Sequence, residues 1–160
     1  MEEHMIQARD IDLNSETHLD EMIIPDIKPE KNASGKPSIV VIDDDFSTLD
    51  LMKIYLQRNY DYIAFDSPRE AIFYLNRHIP DLIFMDCYIR MIKSRRIIEI
   101  IHSYKELAGV PIVYIAEPSE KGAVMARSRS TVVDCITRPV ARGDLQLVLD
   151  RVFIKNDNNE

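Results

Sequence analysis

Val40-Val41-Ile42-Asp43-Asp44-Asp45 and, further along, Pro80-Asp81-Leu82-Ile83-Phe84-Met85-Asp86 each contain a short, unbroken apolar run that ends on acid. A run without alternation buries both of its faces, as strands of a parallel sheet do when helices cover it on both sides. Outward from these two stretches, Ser38 onward resolves into five strand-and-helix units. The strands are Ile39–Ile42, Tyr62–Phe65, Leu82–Met85, Ile112–Ile115 and Cys135–Thr137. After the first strand, Leu49, Met52 and Leu56 recur at helical spacing; Ser67 then caps a second helix that Pro68 opens, with Ala71, Ile72 and Leu75 facing inward. Ile97, Ile98 and Ile101 make a third stripe, and Leu145, Val148, Leu149, Val152 and Phe153 a last one. The fourth helix, around Ser119 to Ser128, has Gly122 and few large apolar residues, which predicts a mobile element.

The 160 residues, 46% hydrophobic and 29% charged, suffice for one compact core and not for two ordinary domains. Residues 1–37 hold nine acidic against four basic side chains, a net of −5 out of −7, together with Pro25, Pro29 and Pro37 and no sustained periodicity. They read as a disordered acidic arm, in which Leu19 to Ile27 is either a short docking segment or solvated tail. The folded domain is expected over residues 38–154, with a disordered tail over 155–160. Neither part has the basic excess of a nucleic-acid binder, and no apolar run approaches the roughly 20 residues of a membrane span. Cys87 and Cys135 lie in apolar runs without ligand or disulfide spacing, which fits a reducing, cytoplasmic setting; Cys135 reads as a buried filler. The four histidines are scattered and receive no role.

In an open parallel sheet, ligands bind beyond the carboxyl ends of the strands where strand order reverses. In the flavodoxin-like order 2-1-3-4-5, the first and third strands are neighbours, so Asp43, Asp44 and Asp45 meet Asp86 there. Clustered carboxylates repel unless a cation joins them, and Mg2+ is the natural choice because it takes oxygen ligands from one or two carboxylates and water. Such a pocket suits phosphoryl transfer, with Asp86 as the nucleophile. The other reading of Asp43 to Asp45 is a solvated helix start, capped by Asp45 or Ser47.

Over residues 38 to 154 the sequence resembles the receiver domains of bacterial two-component response regulators. The run Val40 to Asp45 looks like that family's acidic strand-one motif, and Pro80 to Asp86 like its phosphoacceptor strand. The resemblance implies that Asp44 and Asp86 ligate Mg2+ directly, that Asp43 acts through water, that Tyr88 offers its backbone carbonyl, and that Asp86 accepts phosphate from a phosphohistidine. Four positions depart from the family pattern. Ala116 stands in place of Thr or Ser and has no hydroxyl for a phosphoryl oxygen. Arg138-Pro139 replaces Lys-Pro, with the same cis bond expected; Arg138 keeps the charge for a phosphate contact but presents a broad planar fork. Cys135 replaces the aromatic switch residue. The loop Ile89 to Ser94 lacks the usual Pro and Gly, and Arg90, Lys93, Arg95 and Arg96 place positive charge near the acids, for an acidic partner or as solvated helix charge.

The resulting expectation is a stand-alone receiver-like response regulator rather than an enzyme, phosphorylated on Asp86 with Mg2+. Its partners would be a sensor histidine kinase or histidine phosphotransfer protein and a downstream protein target, with homodimerisation left open. One alternative is a pseudo-receiver that signals by binding without phosphorylation. Another is a haloacid-dehalogenase-type phosphatase, since Asp43-Asp44-Asp45-Phe46-Ser47 also matches a spaced-aspartate motif; it needs a later acidic cluster, and only Asp134 lies near the fifth strand.

Overall fold

The computed structural model describes residues 30–31, 33–89, 92–128 and 131–157. Five parallel strands, β1 (Ser38–Ile42), β2 (Asp61–Phe65), β3 (Leu82–Asp86), β4 (Ile112–Ala116) and β5 (Val132–Thr137), form one sheet in the order β2-β1-β3-β4-β5. The helices are α1 (Phe46–Leu56), α2 (Pro68–Leu75), α3 (Ser94–His102), α4 (Lys121–Ala126) and α5 (Arg142–Asp157). The α/β class and strand order expected from the sequence are those found.

β1, β3 and β4 are buried at every residue, as strands covered on both faces must be. Successive side chains divide between two cores. Ile39, Val41, Leu82, Phe84, Val113, Ile115 and Ile136 pack with α1 and α5 residues such as Met52, Leu56, Leu145 and Leu149. Val40, Ile42, Ile83, Met85, Ile112, Tyr114 and Cys135 face the other way, onto Ala71, Ile72, Leu75, Ile97, Ile98 and Ile101 of α2 and α3. The period-two alternation therefore sorts one continuous apolar run into two layers. α4 carries no fully buried residue.

The register places the chemistry. Ile42 pairs with Met85, and Asp86 with Ile115, so Asp43 and Asp86 emerge together at the carboxyl edge. Ala116 pairs with Thr137 at the same edge, and Arg138 follows, joined to Pro139 by the expected cis peptide bond.

Three details differ from the sequence reading, and a fourth is not described. Glu30–Lys31, inside the arm expected to be disordered, forms a two-residue strand parallel to His78–Ile79; backbone pairing, which composition does not register, orders this end of the arm. The proposed docking segment, Leu19 to Ile27, lies outside the described residues. α5 continues to Asp157, past the expected boundary at 154, because helix hydrogen bonding propagates beyond the last apolar contact. Ser67 occupies the N-cap position of α2 with Pro68 just inside, yet its side chain makes no capping bond.

Phe84 is the largest fully buried side chain. Truncation to alanine is expected to cost about 3–5 kcal/mol, read as a lower urea midpoint at unchanged slope. A loss below about 1 kcal/mol would contradict a close-packed α1–α5 layer.

Candidate functional site

The site begins at the β1–α1 junction. Asp45 is the N-cap of α1 and accepts hydrogen bonds from the Ser47 amide at 3.3 Å and the Thr48 hydroxyl at 2.5 Å. Its own amide donates to Asp43 Oδ1 at 2.8 Å. Of the three consecutive acids, Asp45 is thus taken up by the helix start, where a carboxylate satisfies otherwise unpaired donors. Asp43 is left fully buried below it, and Asp44 is exposed.

Asp86 closes the other side, at the last position of β3 and 6% exposed. The Tyr88 amide donates to its Oδ1 at 3.1 Å, and Ser94 Oγ donates to its backbone carbonyl, tying the start of α3 to the end of β3. Between them, Tyr88–Ile89 and Ile92–Lys93 pair as a short antiparallel hairpin. These strands lie in the stretch from Ile89 to Ser94, or just before it, where the sequence departs from the receiver pattern.

Carboxylate oxygens of Asp43, Asp44 and Asp86 lie within 4.8 Å of one another, the one such group of three metal-ligating side chains among the described residues. Oxygens at that spacing suit a small octahedral cation, whose opposite ligands lie about 4 Å apart. By donor type and separation, the three residues fit Mg2+.

A protein cation already enters this space. Arg138 Nη1 stands 2.6 Å from Asp43 Oδ2 and donates to Thr48 Oγ1 at 2.8 Å, while Nη2 stands 3.0 Å from Asp86 Oδ2. On the outer side, Nε lies 3.5 Å from Glu117 Oε1, and Nη1 is 3.8 Å from Asp45. The planar fork distributes five N–H donors over this ring, which a lysine ammonium could not. These acceptors raise the guanidinium pKa above its ordinary value despite burial, so Arg138 stays charged.

Burial pushes the Asp86 carboxyl from an ordinary 3.8 up to about 7; the Tyr88 hydrogen bond lowers it, the nearby Asp43 charge raises it and Arg138 opposes that rise. Burial also raises Asp43, with the Arg138 hydrogen bond pulling the other way. An ionised Asp86 therefore depends on positive charge at the pocket.

The structure thus brings Asp43, Asp44, Asp86 and Arg138 together. Ala116 is buried at the end of β4 with no hydroxyl to offer. Cys135 is buried in the α2–α3 core, and burial raises its thiol pKa, in keeping with a filler role. Cys87, beside Asp86, is pushed by burial to about 12 and stays protonated. Arg95 and Arg96 both pair with Glu99 within α3, leaving less of the basic cluster to face the acids; Arg90 lies outside the described residues. Asp134 pairs with Arg151 at 2.7 Å. Sequence reasoning missed Thr48 and Glu117. The first sits three residues past the N-cap, a position that points back to the helix start, and the second directly follows β4; both positions are signals in retrospect.

The sequence profile of the response regulator receiver domain matches residues 39–150. No curated protein matches the chain. Similar solved structures include the receiver domain of a sensor histidine kinase from Pseudomonas aeruginosa PAO1, with a magnesium ion coordinated in its active-site cleft. It is 19% identical, covers 73% of this chain and 97% of its own, and has a TM-score of 0.64. The receiver domain of Francisella response regulator 1452 is also 19% identical, over 76% of this chain and 99% of that one, at a TM-score of 0.64. A response regulator receiver domain protein from Clostridium thermocellum, 16% identical, covers 78% and 99% at 0.65. At these identities the structures establish a common fold.

A folded-state Asp86 pKa near 7, above the unfolded 3.8, means that the folded protein binds more protons than the unfolded chain between those values. In metal-free buffer, stability should therefore fall as pH rises across that window, by at most about 4 kcal/mol from this group. Asp86→Asn should flatten the fall and be the more stable protein at alkaline pH, measured by urea unfolding. Parallel wild-type and variant profiles would contradict the assigned burial.

Proposed function

The chain belongs to the response regulator receiver domain family, and on that premise we propose that it is a phosphorelay receiver that accepts phosphate on Asp86. The observation that carries this reading is the convergence of Asp43, Asp44 and Asp86 at the carboxyl edge of adjacent strands, with Arg138 bridging two of them. The sheet fixes Asp86, and the Tyr88 amide on Oδ1 orients its carboxylate, so little ordering remains to be done when a donor arrives.

The reaction is a displacement at phosphorus. A carboxylate oxygen of Asp86 forms a bond to phosphorus as the bond to the donor's imidazole nitrogen breaks, leaving an acyl phosphate and releasing neutral histidine after protonation. Asp44 and Asp86, with the Tyr88 carbonyl, would hold Mg2+ directly and Asp43 would do so through water; when bound, the ion supplies positive charge to the phosphoryl oxygens. Arg138 contributes a fixed second charge, with two N–H groups directed at the pocket. Ala116 contributes no hydrogen bond to phosphate, so Arg138 carries that side of the pocket. A sensor histidine kinase or histidine phosphotransfer protein supplies the phosphoryl group, and a protein target reads the result.

One observation favours a second reading. Arg138 pairs with both Asp43 and Asp86, which suits a pseudo-receiver whose binding surface persists unphosphorylated.

Incubation with Mg2+ and acetyl phosphate, followed by intact-mass measurement, separates the two. The phosphorelay reading expects one phosphoryl group on the wild type and none on Asp86→Asn. No gain on the wild type, in protein shown to bind Mg2+, would leave the pseudo-receiver.

A further inference from the structure

Both oxygens of both buried pocket carboxylates are engaged within the chain. Asp43 Oδ1 accepts from the Asp45 amide, and Oδ2 from Arg138; Asp86 Oδ1 accepts from the Tyr88 amide, and Oδ2 faces Arg138 Nη2. The two amides are fixed by the backbone. The guanidinium is the only one of these partners on a rotatable side chain, and it carries the same sign of charge as a metal ion. A divalent cation at the same oxygens would stand within a few ångströms of it, where buried like charges repel strongly.

The surroundings provide two positions for the side chain. Inward, Nη1 is held by Asp43 and by the buried Thr48 hydroxyl, which in turn donates a hydrogen bond to Asp45. Outward, Glu117, with 58% of its side chain exposed, already lies 3.5 Å from Nε, with Asp45 at 3.8 Å from Nη1. An outward swing thus exchanges buried carboxylates for a solvated one without stranding the charge.

We propose that Arg138 is a resident cation of the acidic pocket that competes with divalent metal for Asp43 and Asp86, and moves toward Glu117 when metal binds. This rests on the receiver reading of the pocket, and it adds a regulation specific to this chain: metal loading must first open an intramolecular ion pair. Binding linkage then requires that whatever holds Arg138 outward tightens metal binding by the same factor. An acidic group presented beside Glu117 by a partner would do so.

The test is a calorimetric Mg2+ titration of the full chain without phosphodonor, comparing wild type, Arg138→Met and Thr48→Val, each checked for a cooperative melt. Arg138→Met is expected to bind Mg2+ about tenfold or more tightly, and Thr48→Val to tighten it by a smaller factor. Because Arg138→Met leaves buried carboxylates uncompensated and can unfold the domain, the NMR Nε–H resonance of Arg138 in wild type is followed in parallel. It should shift as Mg2+ saturates. Unchanged or weaker binding in the folded variants, or a resonance indifferent to saturating Mg2+, overturns the competition while leaving phosphorylation of Asp86 to stand on its own mass measurement. Absence of Mg2+ binding in every form, with no acyl phosphate formed, overturns the receiver chemistry as well.

Discussion

Two carboxylates, Asp43 and Asp86, are buried side by side because β1 and β3 are adjacent: Asp43 directly follows β1, and Asp86 ends β3 at the same edge. Buried negative charge is costly unless paired, by several kcal/mol per ion even after relaxation. The rest of the site answers that cost. Asp45 turns away to cap α1, amides of Asp45 and Tyr88 donate to the buried oxygens, and Arg138 reaches from the end of β5 to close the ring.

Arg138 changes the character of the pocket because of its shape. An ammonium would present one compact charge, whereas the guanidinium contacts Asp43, Thr48 and Asp86 on one side and Glu117 on the other. Cys135 is buried in the α2–α3 core, and a short hairpin joins Asp86 to α3.

The layered fold was legible because β1, β3 and β4 are short runs buried on both faces, bounded by helices with clear apolar stripes; such patterns have few other solutions. The acids were legible for the same reason, since strand ends map directly onto one edge. Contacts between side chains distant in sequence were not. The bridge from Arg138 to Asp43 spans 95 positions, and Thr48 reads in isolation as an ordinary first-turn residue. Nor could composition reveal the pairing of Glu30–Lys31 with His78–Ile79, which depends on backbone groups that every residue shares.

On this account the Arg138 guanidinium compensates the buried Asp43 carboxylate. A double-mutant cycle on unfolding free energy, with Arg138→Met, Asp43→Asn and the double variant in metal-free buffer, measures that coupling directly. Compensation predicts a favourable interaction of about 2 kcal/mol or more, as removing either partner alone leaves the other charged and buried. Additivity within about 0.5 kcal/mol would contradict it and remove the basis for treating Arg138 as the pocket's own cation.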